Sequence, residues 1–144
     1  MSHTEALVEA LGGRKVLKRR ISTLDELRET VKKGLPYASL EALIGKFGLG
    51  REEAAAALHL PQRTIARRKK EQKLRVDESD RLLRLARVSA QAAATLGSEE
   101  KAAQWLRRPN RALGSLAPLE LIDSDIGTRQ VEDVLGRIEH GIVS

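Results

Sequence analysis

Apolar residues recur along this chain at intervals of three and four, and glycine or proline closes each run, so the pattern predicts a series of amphipathic helices. Leu7, Val8 and Leu11 form a weak first run that ends at Gly12-Gly13. Thr23 with Glu26 three residues on has the form of a capping box, in which each side chain satisfies the other's free backbone donor. Leu24, Leu27 and Val31 follow on one face, and Gly34 and Leu35-Pro36 end the helix. Ser39 is expected to cap the next helix, whose face is Leu40, Leu43, Ile44 and Phe47 and whose stops are Gly48 and Gly50. From Asp77 to Leu96 the positions Leu82, Leu85, Ala86 and Ser89 recur, with Leu83, Ala90, Ala93 and Leu96 widening the stripe. A stripe that wide predicts burial on more than one side. Gly97 closes this helix and Ser98-Glu99-Glu100 opens another through Ala102, Ala103, Trp105 and Leu106, cut by Pro109-Asn110. A turn-rich connection from Arg111 to Ala117 leads to a short helix near Pro118. Asp125 is expected to cap the last helix, which carries Val131, Val134, Leu135 and Ile138 and ends at Gly141. Strand signals and internal repeats are lacking, so the fold class is all-α.

Residues 51–75 carry the most information. Ala54, Ala55, Leu58, Leu60 and Ile65 have the spacing that locks two short helices together, with the small alanines allowing close approach. Pro61 suits the first turn of the second helix, where a missing N–H costs nothing. The pattern is that of a helix-turn-helix whose second helix fits a DNA major groove. On that helix Gln62, Arg63, Thr64 and Arg67 are placed to reach base edges. Arg68, Lys69 and Lys70 are placed to hold phosphates. Two positions depart from the usual pattern: His59 stands where a turn glycine is common, and Arg68 where an apolar residue is common.

Charge divides the chain. Residues 51–75 hold eight Lys/Arg against three Glu, and residues 118–144 hold two Arg against six acids. One surface suits phosphates and the other does not, which implies two partners, the second bound by an acidic, separately folded half. The cluster Arg14, Lys15, Lys18, Arg19 and Arg20 reads as a solvated arm over residues 1–20, or as one that adds phosphate contacts. No cysteine is present, which removes disulfides and thiolate metal sites. No apolar run reaches transmembrane length, and the N-terminus has no signal-peptide core, so the expected location is the cytoplasm, with no membrane partner. His3, His59 and His140 are scattered and make no metal-ligand spacing, and no nucleophile, base and orienting group can be assembled. No enzyme activity, metal or cofactor is expected. Trp105, the single Trp, reads as core rather than interface centre.

In the second half, Ala103-Gln104-Trp105-Leu106, Pro109-Asn110, Leu113-Gly114, Pro118-Leu119-Glu120-Leu121-Ile122, Gly127, Val131, Leu135 and Arg137-Ile138-Glu139-His140-Gly141 resemble the C-terminal domain of Xre/ParS/MbcA-type antitoxins. Gly34-Leu35-Pro36, Arg63-Thr64-Ile65-Ala66-Arg67-Arg68 and Glu78-Ser79-Asp80-Arg81-Leu82 resemble the Xre-like half of the same proteins. The likeness spans residues 21–144. It implies a bacterial antitoxin without enzyme activity that neutralises a RES-domain, NAD-consuming toxin encoded beside it and represses its own operon. It also implies a homodimer, an operator with an inverted repeat, and larger complexes with the toxin. In related systems the C-terminal segment blocks the mouth of the toxin's NAD site. That places Arg129, Glu132, Asp133, Glu139, His140, Gly141, Ile142, Val143 and Ser144 at the toxin interface. The expected organisation is an arm (1–20), a helix-turn-helix domain (21–76), a connecting helix (77–97) and a toxin-neutralising domain (98–144). A repressor released by a metabolite rather than by a protein is the alternative.

Overall fold

The wide apolar stripe of the longest helix sets the architecture. In the computed structural model, which describes residues 2–141, this helix, α7 (Val76–Leu96), has Leu82, Leu85, Ala86, Val88, Ser89 and Ala92 fully buried. At 1.5 Å per residue it is about 30 Å long, enough to carry packing on several sides. On it lie α1 (His3–Ala10), α3 (Leu24–Lys32), α4 (Tyr37–Phe47), α8 (Glu99–Arg107) and α9 (Asp125–Glu139). The remaining helices are α2 (Gly13–Leu17), α5 (Arg51–Ala57) and α6 (Gln62–Glu71), with short 3-10 turns at Arg111–Leu113 and Pro118–Glu120. The all-α expectation holds, and no strand occurs among the described residues beyond two isolated bridges.

Most helix starts follow from their caps. Thr23 Oγ1 accepts the Glu26 N–H (3.1 Å), and Glu26 Oε1 accepts the Thr23 N–H (3.1 Å), which completes the capping box. Two other starts differ from expectation. α4 begins at Tyr37, so Ser39 is a buried residue of its first turn and not its cap. The reason is a tertiary hydrogen bond: the Tyr37 N–H donates to the Gln72 carbonyl (3.2 Å), which satisfies the helix start from outside. Similarly, Ser124 caps α9 by accepting the Gly127 N–H (3.0 Å), while Asp125 is the first helical residue and pairs with Arg129 (3.2 Å). A Cβ at Gly127 would lie 1.8 Å from the Leu121 carbonyl oxygen, so only glycine allows this turn to close on the helix.

Residues 1–20 are not a solvated arm. α1 and α2 fold onto α4, α1 also packs on α7, and Leu7, Val8, Ala10, Leu11 and Leu17 are buried. Their apolar side chains dock on a surface formed by later helices, which local periodicity cannot display. Likewise 77–97 is not a connector but the centre of the packing, and the acidic half is not separately folded. One apolar cluster runs from Leu7 through Leu58, Leu85 and Leu106 to Leu135. The outer surfaces differ in charge, but the core beneath them is shared.

Leu11, fully buried, reports on this arrangement. Leu11→Ala is expected to lower unfolding free energy by about 2–5 kcal/mol in urea titration. A change within about 0.5 kcal/mol, the usual range for a surface position, would return these residues to the status of an arm.

Candidate functional site

The helix-turn-helix is built by α5, the turn after it, and α6. Glu53 Oε1 accepts the Gly50 N–H at the start of α5 (2.7 Å), and Ala54, Ala55 and Ala57 bury its inner side. The chain then turns through buried Leu58 and Leu60 with His59 between them in the left-handed region (φ +53°). A residue with a Cβ costs about 1–2 kcal/mol there, which is why glycine is common at such a turn. The turn is closed by the Leu60 N–H on the Ala55 carbonyl (2.9 Å), and His59 Nε2 lies 3.3 Å from Asp123 Oδ2. Pro61 stands one residue ahead of α6 as its N-cap rather than in its first turn.

With 100° per residue, Thr64, Ile65 and Arg68 of α6 share one side, and Gln62, Arg63, Ala66, Arg67, Lys69 and Lys70 the other. Burial follows this division. Thr64 and Ile65 are half-buried, Arg68 is buried, and the second set is exposed. Arg63, Arg67, Lys69 and Lys70, together with Lys73 and Arg75 just beyond the helix, are ion-paired with no carboxylate among the described residues. These six cations form a surface without internal neutralisation, suited to a polyanion.

Arg68 requires a correction. Its Nε donates to Glu78 Oε1 at 2.7 Å, a second guanidinium nitrogen donates to Glu71 Oε1 at 3.1 Å, and only 4% of the residue is exposed. It therefore cannot hold a phosphate. The inward direction follows from its place three residues after Ile65, the apolar slot noted in the sequence. Glu78 Oε1 also accepts the Arg75 N–H (2.8 Å). Burial pushes the Glu78 carboxyl up, but the hydrogen bonds from Arg68 and Arg75 outweigh it and hold the group below the usual carboxylate range.

The second candidate surface is α9. Ile126, Arg129, Gln130, Asp133, Arg137 and His140 fall on one exposed face, opposite the buried Val131 and Leu135. Glu139 and Gly141 are also exposed, and Ile142, Val143 and Ser144 lie outside the described residues. Glu132 is placed differently from the other candidates. It is half-buried and grips Arg87 through both oxygens (2.9 and 3.0 Å), so it holds α9 on α7. Ile126 was not singled out from the sequence although it is 75% exposed, the most exposed large apolar side chain described. The available signal was an isoleucine off the periodic stripe of its helix. Trp105 is half-buried against the core.

Between the two surfaces runs a polar seam. Arg107 of α8 binds Glu53 of α5 at 2.7 and 3.3 Å and donates to the Gly48 carbonyl (3.2 Å). This hydrogen bonding is the foremost cause holding the Glu53 carboxyl low. Among the described residues no group of His, Asp and Glu is arranged to hold a metal, and no helix is long and apolar enough to cross a membrane.

Comparison with known proteins meets this geometry at both surfaces. Residues 26–87, which contain most of α3 and all of α4 to α6, match the antitoxin Xre-like helix-turn-helix domain. Residues 91–141, which contain α8 and α9, match the antitoxin Xre/MbcA/ParS C-terminal toxin-binding domain. A protein of Photorhabdus laumondii named antitoxin Xre is 34% identical over 120 residues, 82% of this chain and 81% of that one. The chain belongs to the Xre antitoxin family. An antitoxin Xre of Pseudomonas putida is 41% identical over 83 residues, 57% of this chain and 52% of that protein. A Sphingobium protein named Prs ADP-ribosylating antitoxin is 29% identical over 132 residues, 85% of this chain and 82% of that one. The chain is thus an antitoxin of a toxin-antitoxin system and not a member of an enzyme family. Both matched domains draw on α7.

The Arg68–Glu78 pair gives a direct test of its placement. Arg68→Ala leaves a buried carboxylate without its partner and is expected to cost about 3–5 kcal/mol. The Glu78 contribution is present above the unfolded carboxylate pKa and is lost as pH falls through the lowered folded value. Urea midpoints measured from neutral to strongly acidic pH should therefore fall more steeply for the unaltered antitoxin than for Glu78→Gln. Parallel curves would show that Glu78 is not the linked group.

Proposed function

We propose that this antitoxin neutralises a RES-domain, NAD-consuming toxin by covering its active site with the C-terminal segment, and represses its own operon through α6. The observation that carries the second half is the outward face of α6, exposed and free of carboxylate partners among the described residues. Gln62, Arg63 and Arg67 read base edges in the major groove, with Lys69 and Lys70 on phosphates, whereas Thr64 lies on the half-buried side with Ile65. The toxin would meet the exposed face of α9, through Arg129, Asp133, Glu139, His140 and the newly recognised Ile126, and the tail from Gly141 to Ser144 would enter its active site. The name of the Sphingobium relative links that protein to ADP-ribosylation, and an NAD-consuming target for this chain is in keeping with such chemistry. Inhibition of this kind is steric and needs no chemistry from the antitoxin.

Operator binding by a homodimer follows from the same reading, with two copies of α6 on half-sites about one helical turn apart. A groove of ≈ 1070 Å³ between α1, α3 and α7 supports a second copy as the partner. Leu24 and Val76 stand exposed on it at 60% and 51%, and its rim carries both signs, Asp25 and Asp77 with Arg28 and Lys32. A surface with both charges around an apolar centre can match itself across a two-fold axis.

The reading is tested by co-expression. The antitoxin should restore growth and cellular NAD in cells making the RES-domain toxin encoded beside it. Arg67→Ala is expected to weaken operator binding by about 1–3 kcal/mol, the value of a base-edge contact, with protection unchanged. A folded Arg67→Ala protein that no longer protects would refute the division between α6 and α9. Deleting Gly141–Ser144 should do the opposite, sparing operator affinity while weakening inhibition in a purified NAD-turnover assay. Full inhibition by the shortened chain would remove the plugging tail.

A further inference from the structure

Two linkers far apart in sequence pair beside the end of α6. The Leu74 N–H donates to the Leu35 carbonyl (2.9 Å), and Pro36 and Lys73 form an antiparallel bridge. The Leu35 N–H is anchored from the other side by Ser79 Oγ at 2.7 Å. Gly34 makes this approach possible: its φ is +91°, and a Cβ there would lie 2.5 Å from the Leu74 carbonyl oxygen and 2.9 Å from Lys73 Cε. The stem of Lys73 therefore runs along Gly34, and the preceding residue is Lys33, the C-cap of α3. Lys33 and Lys73 are both exposed, and neither is ion-paired among the described residues. The left-handed Gln72 (φ +62°) turns the chain into this linker after Lys69, Lys70 and Glu71, whose carboxylate is engaged by Arg68.

We propose that Lys33 and Lys73 form a binding site for a DNA backbone phosphate, with Lys33 supplied from outside the helix-turn-helix. Two cations without carboxylate partners among the described residues are carried by paired segments, so an anion placed between them is attracted by both. The pairing of the linkers holds both chains in place before DNA arrives, so little backbone ordering is left to be done on binding. A phosphate contact of this kind adds affinity and register without reading sequence. The inference rests on the operator-binding reading of α6, and the following experiment separates the two.

Duplex binding is measured by fluorescence anisotropy over a salt series, with the operator-region DNA upstream of the gene and an unrelated duplex of equal length. Lys33→Ala and Lys73→Ala are each expected to weaken binding about three- to tenfold on both duplexes, and the double variant to flatten the slope of log K against log salt by about 0.9, one neutralised phosphate. Lys101→Ala, an exposed lysine of α8, serves as the control and should leave affinity and slope unchanged. Thermal melting should be unaltered in all of these variants, because both lysines are exposed. If the unaltered protein binds neither duplex, the operator reading itself fails. If it binds and the double variant keeps its affinity and slope, this phosphate site is overturned while the operator reading stands.

Discussion

The buried contact between Arg68 and Glu78 fixes the rest of the recognition surface. It joins the inner side of α6 to the first turn of α7, and α7 is the helix on which both matched domains pack. An apolar pair of similar volume would serve stability as well or better, because desolvating two charges offsets most of their attraction. What the ion pair adds is direction. Glu78 of α7 accepts from a guanidinium that Glu71 of α6 steadies, and this bond allows few rotations of α6, so the outward set from Gln62 to Lys70 points one way. Glu78 gives the same oxygen to the Arg75 N–H, which ties the start of α7 to the orientation of α6.

Further ion pairs extend this logic across the molecule. Arg87 holds α9 through Glu132, and Arg107 holds α5 through Glu53, whose same carboxylate caps the helix at Gly50. The outer faces of α6 and α9 are therefore parts of one packed body. No flexible joint lies between the matched domains; α7 continues through the gap from residue 87 to 91. Two outer faces share a common core, and any influence of one face on the other would pass through packed side chains rather than a hinge.

Much of this was legible wherever the determinants are local. The capping box at Thr23, the glycine stops, and the stripes of α4, α7 and α9 depend on neighbours within a turn or two, and they fold as read except that Ile138, at the end of the α9 stripe, is exposed. The misplaced features depend on distant residues. The start of α4 is set by Gln72, the burial of α1 by α4 and α7, and the engagement of Glu132 by an arginine 45 positions away. α2, at five residues, is too short to be stable alone and is held by its neighbours, so the sequence showed only its basic cluster and not a helix. Arg68 is the instructive case. Its position three after Ile65 pointed inward, while its chemical type pointed outward, and periodicity was the better guide.

That contrast sorts the cations more generally. Those that hold the fold have carboxylates on them: Arg19, Arg68, Arg87 and Arg107 each bridge segments seven or more positions apart. Those with no carboxylate partner among the described residues occur from Arg14 to Arg137, and six of them lie on α6 and the linker after it. A net charge of +6 spread evenly would say little beyond solubility. Arg68 of α6 is among the engaged arginines, but six cations between residues 63 and 75 are not, so part of the excess lies on the outward side of one helix and the linker after it. The repulsion among those cations is a cost to the free protein, and an anionic partner of matching shape relieves it. The sign of the total charge was visible in composition, but its direction required knowing which arginines were already engaged.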